Sequence, residues 1–155
     1  MKPTEKTIIG RREFIDFPGL GLSGIEAKID TGAYTSSIHC HDISIHSGAE
    51  GKLVEFKLLD PDHPAYEHRI LKLPLVKQKI VRSSSGDEEH RAIIRTEICV
   101  GGHTFMTDLS LTDRSGMEYP VLLGRKAIRK RFIVDVARVY VLNNGNAGNT
   151  PSEKG

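Results

Sequence analysis

Short runs in which every second residue is apolar recur along most of this chain. Ile25, Ala27 and Ile29 alternate with polar residues, and the same period of two returns at 54–58 and 71–75. This period is typical of strands that bury one face. Stretches rich in Gly, Pro, Ser and Asp separate the runs. Closely spaced strands joined by polar turns predict an all-β barrel or sandwich.

The domain organisation follows from length and from the C-terminal composition. A chain of 155 residues is expected to form one domain that buries a core without disulfides or metals. The polar, Gly- and Asn-rich sequence 143–155 predicts a disordered tail, which leaves 1–142 as the folded domain. One stretch, 125–131, is predicted to be helical, for one or two turns.

Charge and cysteine usage limit the classes of partner and compartment. The 22 Lys and Arg residues nearly balance the 20 Asp and Glu residues and are scattered, so the charge gives no support for nucleic-acid binding. Cys40 and Cys99 alone do not make a disulfide framework, which favours a reducing compartment. The N-terminal sequence lacks the apolar region of a signal peptide, and no apolar run approaches the roughly 20 residues of a membrane span. We expect a soluble cytoplasmic protein with no membrane partner.

Three glycines form a G-x-G-x-x-G sequence, which in nucleotide-binding proteins precedes a helix. Here Gly19, Gly21 and Gly24 precede the alternating stretch 25–29 instead. This context predicts a hairpin turn. The chain also lacks a G-x-x-x-x-G-K-[ST] loop, so no cofactor is predicted.

Histidines near residue 40 suggest a metal site as an alternative. His39 and His41 would point to the same side of a strand, with Cys40 on the opposite side. A catalytic zinc usually has three protein ligands, and no H-E-x-x-H sequence is present to supply two of them. Solvent-facing strand histidines are the preferred interpretation, with no metal. A zinc-dependent hydrolase that uses His39 and His41 remains an alternative.

A carboxylate follows directly after the apolar strand that is predicted to end at Ile29. Asp30, Thr31, Gly32 and Ala33 have the layout of the active-site turn of aspartic proteases, although a plain solvent-exposed turn is possible. Hydrolysis by carboxylates needs two aspartates that share a proton across a water molecule. The threonine can lock two such turns together, and the glycine lets the backbone approach the carboxylate. Asp30, Thr31 and Gly32 are therefore candidate catalytic residues, and Ala33 a candidate substrate contact.

Two further segments fit the same layout. The hydroxyl residues 35–37 can tie down the strand that returns from the turn. In aspartic proteases, two apolar residues and a glycine form a strand that passes behind the catalytic loop, and a short helix follows. Leu122, Leu123 and Gly124, with the predicted helix after them, match that order.

Together these residues resemble a bacterial family known as ATP-dependent zinc proteases, whose domain is similar to retropepsins. The resemblance covers most of residues 8 to 140. The last matching block is the most specific, because it combines Asp-Arg, Met117 and Leu-Leu-Gly-Arg. The family name conflicts with the residues, which show neither an ATP loop nor a zinc-protease helix. The matching blocks are 28–39, 81–94 and 109–128.

The resemblance implies a retropepsin-like closed β-barrel, the acid protease fold, with one short C-terminal helix. It also implies a flap, a hairpin that closes over substrate, at 81–89, with Ser85 in it and Gly86 at its tip. A plain polar hairpin is the alternative. The segment 60–68 is an insertion relative to typical retropepsins, and its role is open.

The chain has one Asp-Thr-Gly sequence, whereas the chemistry needs two aspartates. A homodimer with the site on its two-fold axis is the economical solution. We expect an aspartic peptidase; the alternatives are the zinc hydrolase and a non-catalytic β-barrel binding module.

The resemblance also implies an association with ATP-grasp enzymes that add glutamates to protein tails. A peptidase that trims such tails needs positive charges near its aspartates, and guanidinium groups match carboxylates bidentately. The alternative is that these arginines form surface or structural ion pairs with acids such as Asp113 or Glu118. The candidate carboxylate-binding residues are Arg82, Arg91, Arg114 and Arg125.

Overall fold

The structure is a computed structural model that describes residues 5–82, 85–113 and 118–142. Within these ranges the chain forms eleven strands, a short 3-10 helix at Pro18–Leu20 and the single-turn helix α1 at Arg125–Ile128. The strands are β1 (Thr7–Ile9), β2 (Arg12–Phe17), β3 (Leu22–Ile29), β4 (Ser36–Gly48), β5 (Gly51–Leu58), β6 (Leu71–Pro74), β7 (Lys77–Arg82), β8 (Glu88–Val100), β9 (His103–Thr112), β10 (Val121–Leu123) and β11 (Phe132–Val134).

Six of the strands close into a barrel. They pair in the order β10, β3, β2, β8, β9 and β4, and β4 pairs back with β10. Strands β5 and β6 extend the sheet from β4, and β7 pairs with β8. Strands β1 and β11 form a separate parallel pair. The predicted all-β class, with a closed barrel and one short helix, is confirmed.

The period of two observed in the sequence corresponds to the buried faces of the barrel strand β3 and of β5, which extends the sheet from β4. Ile25, Ala27 and Ile29 on β3 are at most 7% exposed, and Val54 and Phe56 on β5 are fully buried. Burying a side chain of this kind contributes about 1.5–3 kcal/mol. The alternation therefore fixes the register, because a one-residue slip would turn these side chains towards water.

A buried carboxylate joins the two ends of the described chain, a contact that the apolar pattern does not predict. Glu13 on β2 is fully buried. Its carboxylate accepts hydrogen bonds from the backbone amides of Gly10 at 2.7 Å, Val141 at 2.9 Å and Leu142 at 3.1 Å. These bonds satisfy a charge that would otherwise be costly to bury.

Turns and helix agree with the sequence predictions, with one difference in length. Strands β2 and β3 form the predicted hairpin, and Gly21 has the left-handed φ of 71° that favours glycine. The predicted helix at 125–131 is shorter than expected. It ends after Ile128, and Lys130 adopts a φ of 73°, which no α-helix can continue through.

In the part of the chain that the structure describes, no helix is long and apolar enough to cross a membrane. The tail predicted at 143–155 lies outside the described residues.

Candidate active site

Strand β10 lies between β3 and β4 and positions the Asp30 turn. It runs parallel to β3, with Leu123 opposite Ile29, and antiparallel to β4, with Val121 opposite Ile38. Asp30 follows Ile29 directly, and its backbone amide donates to the carbonyl oxygen of Leu123 at 2.8 Å. The carboxylate therefore extends from a turn that is held on both sides by one short strand.

The turn orients one carboxylate oxygen of Asp30. The Gly32 amide donates to Asp30 Oδ1 at 3.0 Å, and the Ala33 amide donates to the Asp30 carbonyl oxygen at 3.2 Å. A β-carbon on Gly32 would lie 3.3 Å from Asp30 Oδ1, closer than most such contacts. Glycine thus lets the backbone approach the carboxylate, as the sequence predicts. Oδ2 makes no hydrogen bond to any described residue.

A side-chain hydroxyl at the start of β4 connects this strand to the end of β10. The backbone amide of Gly124 donates to Ser36 Oγ at 2.9 Å, and Ser36 is 2% exposed. Ser36 belongs to the run 35–37 in which the sequence analysis places this role. The bond replaces a strand hydrogen bond at the point where β10 ends.

The start of α1 holds the far side of the loop 30–35, which we call the Asp30 loop. The amide of Arg125 donates to the carbonyl oxygen of Ala33 at 2.8 Å, and the amide of Lys126 donates to that of Tyr34 at 2.9 Å. A β-carbon on Gly124 would lie 2.7 Å from the Tyr34 carbonyl oxygen, so the loop and the helix touch through this glycine.

The Asp30 loop opens onto a polar cavity of about 310 Å³. Three walls form it: the loop itself, the barrel strands β4 and β9, and the hairpin of β7 and β8. Its lining includes Asp30, Ala33, Tyr34, Thr35, Ser37, Lys79, Arg91, Ile93, Ser110, Thr112 and Leu122.

Two residues on β9 that line this cavity have buried hydroxyls with no hydrogen-bond partner among the described residues. Ser110 is 4% exposed and Thr112 is 3% exposed, and neither Ser110 Oγ nor Thr112 Oγ1 has a hydrogen-bond partner among the described residues. An unsatisfied buried hydroxyl costs about 1–3 kcal/mol. A polar group bound in the cavity would recover part of that cost.

Two cations line the cavity from the hairpin. Lys79 on β7 is directly opposite Arg91 on β8. Like charges at opposed positions disfavour the pairing, unless anions compensate them. Glu89 pairs with Arg91 at 3.0 Å, whereas Lys79 has no ion-pair partner within the described ranges. Sequence reasoning selected Arg91 and missed Lys79, which the cross-strand register of the predicted hairpin could have indicated.

The other arginines selected from the sequence have different positions. Arg125 Nη1 donates to the Thr31 carbonyl oxygen at 3.0 Å, which places this cation at the Asp30 turn. Arg82 pairs with Glu88 at 2.8 Å near the end of the hairpin and is not among the residues that line the cavity. Arg114 lies outside the described residues.

The predicted flap corresponds to the hairpin of β7 and β8. Arg82 is opposite Glu88, and Gly86 lies in the turn with a φ of 92°. Ser85 is exposed in the same turn. Neither Ser85 nor Gly86 lines the Asp30 cavity in this conformation.

The histidines of β4 have separate environments. His39 is 2% exposed, and its Nε2 lies 2.8 Å from Asp60 Oδ1. The prediction of a solvent-facing His39 is wrong, because the amide of Leu59 donates to the His39 carbonyl oxygen and the segment after β5 covers this face. His41 stacks on Tyr66 at 5.8 Å. Within the described ranges, no three His, Cys, Asp or Glu side chains are grouped to hold a metal.

Sequence comparison assigns the family. Residues 8–144 match the RimB-like family, described as "Retropepsin-like aspartic endopeptidase RimB". The chain belongs to this family. The resemblance to retropepsin-like proteases that the sequence indicated is therefore confirmed.

Relatives of the RimB-like chain include much longer proteins named "Probable alpha-L-glutamate ligase". The one from Parasynechococcus marenigrum (strain WH8102) is 37% identical over 136 residues, which is 85% of this chain and 28% of that protein. The one from Shewanella halifaxensis (strain HAW-EB4) is 36% identical over 145 residues, 91% of this chain and 31% of that protein. The chain thus spans less than a third of the length of these relatives.

A solved structure supports the fold. The crystal structure of Lpg0085, a protein with unknown function (DUF785) from Legionella pneumophila subsp. pneumophila str. Philadelphia 1, superposes with a TM-score of 0.72 at 23% identity. The match covers 89% of this chain and 99% of that one. The retropepsin-like barrel predicted from the sequence is confirmed.

Proposed function

We propose that this chain is an aspartic peptidase that acts as a homodimer, with one Asp30 from each protomer. The observation that supports it is the Asp30 carboxylate, which is oriented by the Gly32 amide at 3.0 Å and opens onto the polar cavity. Membership of a family described as aspartic endopeptidases agrees with this chemistry.

The proposed reaction needs one ionised and one protonated Asp30. The ionised carboxylate takes a proton from water as the water oxygen attacks the scissile carbonyl carbon, and the protonated carboxylate gives its proton to the carbonyl oxygen. The resulting diol collapses as one of its hydroxyl protons returns to the carboxylate that is now ionised, the C–N bond breaks, and the leaving nitrogen takes the proton held by the other carboxylate. The two carboxylates titrate as a unit.

A second copy is the economical source of the second carboxylate. Asp108 is occupied by ion pairs with Lys126 and Arg95, and Asp42 pairs with Lys57 at 3.2 Å. In the described part of the chain, neither lies in a turn comparable to that of Asp30. Thr31 is exposed beside Asp30, where its hydroxyl could contact the partner turn across a two-fold axis.

We propose glutamate-rich protein tails as the substrate. Lys79 and Arg91 supply positive charge inside the Asp30 cavity, which would offset the repulsion between catalytic aspartates and an acidic chain. The relatives named as glutamate ligases support a connection to glutamate-containing tails. The free thiols of Cys40 and Cys99 fit the reducing cytoplasm that we propose as its location.

A non-catalytic binding module is the second candidate function. It is favoured by the observation that the matching segment makes up only 28% of a relative named as a ligase. In such a protein the barrel could hold the acidic product without hydrolysing it. The zinc-hydrolase alternative lacks comparable support, because His39 is engaged with Asp60.

The Asp30→Asn variant separates the two candidates. The amide is nearly isosteric, so the fold should persist, whereas hydrolysis of a glutamate-tailed peptide should fall by at least about a thousandfold. Asp62→Asn is the matched control, since Asp62 is an exposed carboxylate outside the Asp30 cavity. An excess of the Asp30→Asn protein should also inhibit the wild type, because mixed dimers contain one aspartate only.

Near-normal turnover by Asp30→Asn would contradict the peptidase proposal. Binding of the acidic peptide without any hydrolysis by the wild type would instead favour the binding module. A comparison with a neutral peptide of equal length, at low and high salt, tests the substrate class. The preference for the acidic peptide should weaken as salt screens the charges.

A further inference from the structure

A second cavity, of about 230 Å³, lies outside the Asp30 site. Its lining contains five cationic side chains together with Met106 and Thr107, and we refer to it as the basic pocket. The five cations come from β8, from α1 and from the residues that follow α1. They are Arg95, Lys126, Arg129, Lys130 and Arg131.

One carboxylate, that of Asp108, neutralises part of this positive charge. Asp108 Oδ1 pairs with Arg95 at 3.2 Å, and Oδ2 pairs with Lys126 at 2.6 Å. Burial opposes ionisation of Asp108, but these two partners outweigh it and lower its pKa. Arg129, Lys130 and Arg131 have no carboxylate partner within residues 5–82, 85–113 and 118–142. The basic pocket therefore carries uncompensated positive charge.

One of these cations, Arg131, is held in place before any ligand arrives. The Arg131 guanidinium lies 3.7 Å from the centroid of the Phe105 ring, and its Nη1 donates to the Ala127 carbonyl oxygen at 3.4 Å. Groups that are already ordered lose less entropy when they bind a ligand.

The basic pocket is joined to the Asp30 cavity through Tyr34. Tyr34 is 42% exposed and lines the Asp30 cavity. The guanidinium of Arg129 lies 5.9 Å from its ring centroid, and that of Arg125 lies 5.6 Å from it. Positive charge thus continues from the active-site turn, past Tyr34, to the basic pocket.

We propose that the basic pocket is an exosite for an acidic polypeptide, which binds side-chain carboxylates of a segment whose neighbouring residues occupy the Asp30 cavity. Guanidinium groups bind carboxylates through paired hydrogen bonds. Its use in catalysis rests on the proposed peptidase function, whereas the binding itself does not. A longer acidic segment can reach both the basic pocket and the Asp30 cavity, so it should bind more tightly than a short one.

A polypeptide fits this surface better than a nucleic acid does. Proteins that bind single strands stack bases on free aromatic faces. Here the Phe105 ring carries the Arg131 guanidinium, and the guanidinium groups of Arg125 and Arg129 lie 5.6 and 5.9 Å from the centroid of the Tyr34 ring. The formal net charge of the whole chain is only +2, which is small for a protein that binds phosphate backbones.

The test measures peptide binding by fluorescence anisotropy in an Asp30→Asn background, which removes cleavage. The probes are labelled peptides of five and ten glutamates, a neutral peptide of ten residues and a single-stranded RNA. Arg129→Gln with Lys130→Asn removes two charges from the basic pocket, and asparagine tolerates the left-handed backbone at 130. Lys52→Gln with Lys72→Gln is the matched control, because it makes the same change in charge on the hairpin of β5 and β6.

We expect the basic-pocket variant to bind the ten-glutamate peptide roughly fivefold more weakly at low salt, a loss consistent with two exposed ion pairs. The control variant should change the affinity for the ten-glutamate peptide by less than twofold. Lys130→Asn alone should show part of the loss, although Lys130 is not among the residues that line the Asp30 cavity. The five-glutamate peptide should be less affected than the ten-glutamate peptide.

Equal losses in the variant and the control, or no loss in either, would overturn the exosite. Tighter binding of RNA than of the ten-glutamate peptide, with the same dependence on Arg129 and Lys130, would assign the surface to phosphate instead. Failure of the wild type to hydrolyse any peptide would refute the peptidase while leaving the anisotropy result intact.

Discussion

Replacing Gly124 by alanine tests whether contact between β10 and the Asp30 loop holds the site together. The new methyl group would lie 2.7 Å from the Tyr34 carbonyl oxygen and 3.0 Å from that of Ala33. Both atoms belong to the backbone, so no side chain can rotate away. The loop must move from the helix by several tenths of an ångström.

The cost follows from the bonds at this contact. Overpacking typically destabilises a protein by about 1–3 kcal/mol. The movement also stretches the bonds from the Arg125 amide to Ala33 at 2.8 Å and from the Lys126 amide to Tyr34 at 2.9 Å, each worth about 1 kcal/mol. We therefore expect Gly124→Ala to lower the free energy of unfolding by about 2–4 kcal/mol, and to reduce peptidase activity even where the protein remains folded.

Urea unfolding and peptide hydrolysis measure the two effects. Gly102→Ala is the matched control, because a methyl group there has no atom within 4 Å and the residue is exposed. The control should change the free energy of unfolding by less than about 0.5 kcal/mol. If Gly124→Ala also stays within that limit and keeps full activity, the contact of Gly124 with the Asp30 loop does not hold that loop in place.

Two further substitutions test the charged and polar groups around the site. Asp108→Asn should lower the free energy of unfolding by about 2 kcal/mol at pH 7, because it removes charged hydrogen bonds. The pKa of Asp108 is lower in the folded protein than in the unfolded chain. This stabilisation is therefore present above the unfolded pKa of about 4 and is lost as the pH falls through the folded pKa. Urea unfolding from pH 7 to pH 3 should show the difference in free energy of unfolding between the two proteins shrink below about pH 4, and a constant difference would be inconsistent with the ion pairs. Ser110→Ala should leave stability unchanged or slightly raise it, because it removes an unsatisfied buried hydroxyl, while KM for the peptide rises several-fold. A loss of more than about 1 kcal/mol, with KM unchanged, would mean that Ser110 serves the fold and not the substrate.

The Asp30 turn was predictable because it is local in sequence, whereas the contact of its loop with 122–126 joins segments about ninety residues apart and was expected only from the order of segments in aspartic proteases. A strand, an acid and a glycine follow one another, and Gly32 lets the backbone approach the carboxylate as expected; the close approach of Gly124 to Tyr34 is visible only in the structure. The alternation predicted strands with one buried face and left barrel and sandwich open; the closed barrel was expected from the family resemblance.

Features assembled from distant segments were not predictable in this way. Lys79 enters the Asp30 cavity through its cross-strand register with Arg91. His39 is buried because the chain after β5 returns over it, which an alternating pattern on β4 alone cannot show. The basic pocket combines Arg95 with residues after α1 that are more than thirty positions away.

Helix α1 connects these findings, because a single turn serves the Asp30 loop and the basic pocket. The amide of Lys126 holds the Tyr34 carbonyl oxygen, while its side chain pairs with Asp108 beside the basic pocket. Any displacement of this turn, through Gly124 or through loss of Asp108, would therefore move both sites together. An acidic segment that binds the basic pocket would in turn stabilise the turn that supports Asp30, so occupancy of the exosite and orientation of the catalytic carboxylate are expected to be coupled.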